Sequence, residues 1–268
     1  MVCGYRQKFG RDYELTYSPV AHAVSIRTII ALAAARCLHL RQYDIKTAFL
    51  YATLPSHQRV YLQPPKGVPV PPGHVLSLQK SMYGLKQACL LFNHHLDSTL
   101  AQLGLLRSRH DPCVYYKKIT HNNIMFIAVV VDDIIAAATH LQTLRWLAER
   151  LRATYKITEL GEPAYLVGLS ISRDHSAITI HQNQFIRDLA ASFNQAQCNV
   201  VPTPAVPGDV APGQSPQLPP NHRYLSLVGS LLWCTISRPD IAVAVAIACS
   251  KSIRPTEADW KAALRILR

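Results

Sequence analysis

Along the chain, long apolar stretches alternate with short β-like runs. Residues 22–38 (AHAVSIRTIIALAAARC) are rich in Ala, Leu and Ile without an internal Gly or Pro, which predicts a buried helix. The texture then changes: 40–51 (LRQYDIKTAFLY) leads through Pro55 to RVYLQ at 59–63. The run PPKGVPVPPG at 64–73 predicts an extended surface loop, because proline fixes φ and removes a donor. A helix is predicted over 86–103, ended by Gly104 as its C-terminal cap. The runs VYYKK (114–118) and IMFIAVVV (124–131) have strand-like β-branched and aromatic content and are separated by a turn at His121, Asn122 and Asn123. A third strand-like run, IIAAA, follows Asp132 and Asp133 directly.

Helical texture returns at 141–153, and 165–174 with 177–182 predict a hairpin turning near Asp174, His175 and Ser176. Between 201 and 220 seven prolines stand with Gly208 and Gly213, a composition that stays extended and builds no core. This predicts a division into a main domain over 1–200, a linker over 201–222 and a helical segment over 223–268. Within the last, helices are expected at 223–234, at 239–251 and from Pro255 onward. No internal repeat is visible.

At 268 residues and 49% hydrophobic content, the chain can supply a full core. No apolar run approaches the roughly 18 residues that span a bilayer, and the first residues lack the apolar centre of a signal peptide. A soluble, unexported protein is expected. Seven cysteines form no C-x-x-C pair, so they read as small core residues of a reducing compartment rather than a disulfide framework. The formal charge of +12 is uneven: residues 1–120 hold fifteen Lys and Arg against five Asp and Glu. A one-sided basic surface concentrates polyanions, making nucleic acid the leading partner.

The sharpest local feature is Asp132-Asp133 between two apolar runs. Adjacent carboxylates repel each other and resist burial, so a hairpin tip carrying both calls for a cation; the alternative is a solvated turn, where Asp is common. Asp44 lies in a partly apolar run upstream. If its strand lies beside the hairpin, three carboxylates converge, a set that binds two Mg²⁺ ions about 3.5–4 Å apart for phosphoryl or nucleotidyl transfer. Hard oxygen ligands favour Mg²⁺, and none of the twelve histidines makes a zinc spacing with a cysteine.

The ordered segments GYRQKFGRDYELTYSPVAHAVSIRTIIALAA (4–34), YDIKTAFLYATL (43–54), VYLQPPKGV (60–68), LQKSMYGLKQA (78–88), VDDII (131–135), ITELGEPAYLVGLSI (157–171), VPTP (201–204) and YLSLVGSLLWCTISRPDIAVAV (224–245) resemble Ty1/copia-type retrotransposon reverse transcriptases. The resemblance covers nearly the whole chain. It implies an α+β fold of fingers and palm, with an antiparallel palm sheet backed by helices, followed by a short helical connection segment. It implies an RNA-directed DNA polymerase that extends a primer with dNTPs on an RNA or DNA template using Mg²⁺, or Mn²⁺ in its place. Asp44, Asp132 and Asp133 would be catalytic and metal-binding, with Asp133 in support. Phe49 would be the aromatic gate beneath the sugar, with a core residue as the alternative. Gln87 would line the nucleotide, Lys86 would touch phosphate, and Val130 and Gly168 would contact the primer. The compartment implied is cytoplasmic, in virus-like particles, or nuclear.

The pattern breaks in places. Val130 stands where the family has Tyr, and Leu90 and Phe92 replace an Arg and a Trp. The basic fingers strand that precedes this point in the family is expected to be missing before MVCGYRQ, and no RNase H carboxylates are expected past ALRILR. These departures leave a second expectation: a degenerate fragment that binds nucleic acid without turnover.

Overall fold

The computed structural model describes residues 2–175, 177–206 and 215–268. They form two compact units, residues 1–163 and 164–268. Each is built around its own elements.

The first unit opens with an irregular segment and α1 (Ala23–Ala35). Ile26, Ile29, Ile30 and Ala33 are its buried residues, the i, i+3, i+4, i+7 spacing of a single apolar stripe. Next come β1 (His39–Ile45), a 3₁₀ turn over Ala48–Tyr51, and the short pair β2 (Tyr61–Leu62) and β3 (Leu76–Ser77), which brackets the proline-rich loop. The helix α2 (Ala88–Gln102) is followed by Gly104 at φ +76, the left-handed cap expected from the sequence. Then follow β4 (Leu106–Arg107), β5 (Val114–Thr120), β6 (Asn123–Val130), β7 (Asp133–Ala138), α3 (Leu141–Arg152) and β8 (Ile157–Gly161).

Six of these strands form one antiparallel sheet in the order β4-β5-β6-β7-β1-β8. The middle strand β7 is buried on both faces, since every residue from Ile134 to Ala138 is 0% exposed. Helix α1 packs on β6 and β7, and α3 packs on β7, β1 and β8 through Leu144, Leu147, Ala148 and Leu151. The Tyr43 hydroxyl reaches from β1 to the Leu144 carbonyl at 3.0 Å, tying α3 to the sheet. The antiparallel sheet backed by helices is thus present, with mixed α and β content. Strand β8 was not anticipated: ITELG has no clean alternation, because it is an edge strand with Glu159 and Leu160 exposed.

The second unit begins with β9 (Tyr165–Leu166), β10 (Leu169–Arg173) and β11 (Ile178–His181). The expected single strand over 165–174 is therefore two, parted at Val167 and Gly168, which both have positive φ and make a tight turn. The β10–β11 hairpin forms as expected, although Ser176 in its turn lies outside the described residues. Helix α4 (Asn183–Ser192), unanticipated from the sequence, is followed by α5 (Tyr224–Cys234), α6 (Ala242–Ser250) and α7 (Glu257–Leu267). Thr256 and Asp259 form a reciprocal capping box at the start of α7.

The unit boundary differs from the division expected at 201–222. Leu189 and Phe193, from α4 and its end, share one core with Tyr224, Leu227, Leu231 and Val245, so the stretch before the prolines packs with the helices after them. Residues 207–214 of the expected linker lie outside the described residues. The cysteine expectation is also corrected: all seven are free, but only Cys113 and Cys234 are buried, and Cys3 and Cys37 are exposed. No helix among the described residues is long and apolar enough to cross a membrane.

Candidate active site

Strand register brings the carboxylates together. In the β1–β7 ladder Asp44 is the direct partner of Asp133, and antiparallel partners project to the same face. Asp132 sits beside them in the two-residue turn that joins β6 to β7, closed by the pair Val130 and Asp133. Its carbonyl accepts from the Ile45 amide at 2.9 Å, which fastens the turn to the end of β1.

That turn is strained. Val131 has φ +58, whereas Asp132 is not in the left-handed region, the φ signs of a type II′ turn whose first central position favours Gly. A β-branched residue there costs on the order of 1–3 kcal/mol. Burial first, then the negative charges of Asp133 and Asp44, push the Asp132 carboxyl above the usual carboxylate range. Like charges are being held close at a place with little water, and a cation would relieve them.

The three carboxylates do not close into a ligand group as they stand: among the described residues no set of three or more His, Cys, Asp or Glu is arranged to hold a metal ion. Asp133 Oδ1 accepts from Gln42 Nε2 at 3.1 Å. The donors fit a hard divalent cation in chemistry, being carboxylate oxygens, two of which raise the proton affinity of the third, Asp132.

An aromatic group adjoins the acidic corner. Phe49, 8% exposed in the 3₁₀ turn after β1, packs on Tyr83 with ring centroids 4.4 Å apart and on Phe92 at 6.2 Å. Tyr83 in turn faces the carboxylates: burial, then the charges of Asp132 and Asp44, push its phenol up. The Cys89 thiol is pushed up by burial and then by Asp132. Phe49 is therefore joined to the acidic corner through Tyr83. Neither Tyr83 nor Gln42 was singled out from the sequence, though Gln42 stands two residues before Asp44 on the same strand face and Tyr83 opens the YGLKQ run.

A model of the reverse transcriptase (RNA-dependent DNA polymerase) family matches residues 1–207. The chain belongs to this family. It is 32% identical, over its whole length, to the retrovirus-related Pol polyprotein from transposon TNT 1-94 of Nicotiana tabacum, and 31% identical over 99% of its length to the one from transposon RE2 of Arabidopsis thaliana. It spans 21% and 18% of those two proteins. A transposon Ty5-1 protein of Saccharomyces cerevisiae is 30% identical over 84% of this chain and 74% of that protein. This is a reverse transcriptase domain of the copia type found in retrotransposon Pol polyproteins.

The remaining motif residues of the reverse transcriptase domain are placed as follows. Gln87 is 1% exposed, with its amide taken at both ends: Nε2 donates to the Asp12 carbonyl at 2.9 Å, and Oε1 accepts from Gln7 Nε2 at 3.0 Å. Gln7 Oε1 also accepts from the Lys86 amide at 2.8 Å. Exposed Lys86 donates from Nζ to the Tyr13 hydroxyl at 3.1 Å and lies over that ring. The N-terminal segment is thus docked on the YGLKQ run, closely enough that a Cβ at Gly84, φ +98, would come 2.1 Å from the Val2 carbonyl oxygen. Val130 ends β6, half-buried, at the mouth of the strained turn. Gly168 belongs to the second unit, in the β9–β10 turn, where a Cβ would come within 2.8 Å of the Trp233 ring.

Proposed function

We propose that this domain extends a primer 3′-hydroxyl on a nucleic-acid template by two-metal nucleotidyl transfer. The observation that carries the reading is the direct pairing of Asp44 with Asp133 beside Asp132 in its strained turn. Asp44 and Asp132 would hold two Mg²⁺ ions, with Mn²⁺ as a substitute, and Asp133 would support them. Bound metal supplies Lewis-acid stabilisation of charge on the reacting oxygens. In the reaction the primer oxygen bonds to the α-phosphorus of a dNTP, the bond from that phosphorus to pyrophosphate breaks, and the hydroxyl proton passes to solvent.

The chain's own residues have positioning work in this reading. Phe49, backed by Tyr83, would stand beneath the sugar and reject a 2′-hydroxyl. Lys86 would attract phosphate, and Gln87 would hold the wall of the nucleotide site. Val130 and Gly168 would border the primer. Support for a nucleic-acid partner comes from the first residues, where exposed Tyr5, Phe9 and Tyr17 are interleaved with exposed Arg6, Lys8 and Arg11. Basic groups that track a backbone, beside rings that stack on bases, are the means by which single strands are bound.

Val130, where the family carries Tyr, favours a second reading in which the domain binds template-primer without turnover. Primer extension by the purified chain separates the two. Extension that falls at least about a thousandfold, roughly 4 kcal/mol of barrier, in the Asp132→Asn/Asp133→Asn protein supports the polymerase. Binding of template-primer by the parent without any extension supports the non-catalytic domain and overturns the first reading.

A further inference from the structure

Strand β1 carries a side chain placed for the carboxylates rather than for the core. Gln42 is 6% exposed, and its amide donates to Asp133. Residues two apart on a strand share a face, so Gln42 stands next to Asp44. Its direct partner on β7 is Ile135, which makes Asp133 its diagonal neighbour, within reach of a long side chain.

The other edge of β1 is irregular at the same point. In the ladder with β8, Gln42 faces Gly161 while Tyr43 faces Glu159, leaving Leu160 as the extra residue of a bulge and Gly161 at φ +82. A bulge bends its strand and re-aims side chains, here opposite the residue whose amide donates to Asp133. The chemistry of the donor matters too. An amide donates to a carboxylate without neutralising it, whereas Lys or Arg at this position would add the positive charge that a metal ion brings.

The geometry points to Gln42 as the positioning residue of the acidic corner: it fixes the Asp133 carboxylate, leaving Asp44 and Asp132 to meet the metal ions. This rests on the reading of the three carboxylates as a metal-binding set. Because Gln42 acts through Asp133, its effect belongs to metal binding and to the chemical step, not to nucleotide or template-primer affinity.

The test uses the full chain, with Mn²⁺ as the probe followed by the paramagnetic resonance of the free ion, and measures kcat, the KM for dNTP and the Kd for template-primer in parallel. Gln42→Met keeps the length and removes the amide. It is expected to weaken Mn²⁺ binding at least fivefold and lower kcat at least tenfold, with KM and Kd within twofold. In an Asp133→Asn background the same substitution should change either readout by less than twofold, because its partner has already been altered. Parental Mn²⁺ affinity in Gln42→Met, or an undiminished loss in the Asp133→Asn background, overturns the inference. Should Gln42→Met fail to fold, Gln42→Glu has nearly the same shape without the donor, and parental kcat in that protein overturns it equally. A parent chain that binds no Mn²⁺ overturns the metal reading itself, and the inference with it. A parent that binds Mn²⁺ without polymerising leaves the binding arm to decide.

Discussion

Two tight turns, one in each unit, start alike and end differently. The β6–β7 turn runs Val131-Asp132 and the β9–β10 turn runs Val167-Gly168; in each the first residue is a β-branched valine forced to a positive φ, +58 and +48. At the second position they part. Asp132 brings a charge that burial and two neighbouring carboxylates make costly, whereas Gly168 brings no side chain at all, and the Trp233 ring occupies the space where one would be. One turn presents a group; the other makes room for a ring. The same backbone strain therefore presents a carboxylate in the first unit and makes room for a ring in the second, and what distinguishes them is the residue that follows the valine.

The most damaging change should fall on the packing turn. Gly168→Val puts a branched side chain at φ +74 and into Trp233, which should cost about 2–4 kcal/mol, read as a lower urea midpoint for the second unit. An unchanged midpoint would break the contrast. The presenting turn should respond in the opposite sense: Val131→Gly releases the strained valine but adds chain entropy to the unfolded state, for a net gain of about 1 kcal/mol, or roughly 2–4 °C in Tm. A loss of stability there would mean that Val131 packs to an extent its strain does not show.

A smaller effect sharpens the role of charge. The folded-state pKa of Asp132 lies above 3.8, so the folded chain binds this proton more tightly than the unfolded one. The group's contribution is favourable below that value and is lost as pH rises through the raised pKa. In chelator-treated protein, Asp132→Asn should therefore melt higher than the parent at pH 7, by about 1–2 °C, and show no advantage near pH 3, where both side chains are neutral. A stabilisation of equal size at both pH values would assign it to packing and not to charge.

Much of this was legible before any coordinates. The stripe of α1, the Gly104 cap of α2 and the three strand runs around Asp132-Asp133 are local patterns, and each became the element expected. Strand β8 escaped because an edge strand need not alternate. Helix α4 escaped although Phe185, Ile186, Leu189 and Phe193 recur at helical spacing, since Gln182 at its start makes no side-chain cap to announce it. The proline-rich run suggested a boundary by composition, while the compact units are divided by where apolar faces find partners.

By itself the sequence determined the family, the carboxylates and the strand-turn-strand frame that carries two of them, because motifs and periodicity are written in residues close along the chain. Tertiary structure alone decided that Asp44 faces Asp133, that the Gln42 amide donates to that carboxylate, that Tyr83 links Phe49 to the acidic corner, and that Gln87 is committed to Gln7 and Asp12. Those pairings join residues far apart in sequence, and their geometry is set by strand register and side-chain reach, which no local pattern encodes.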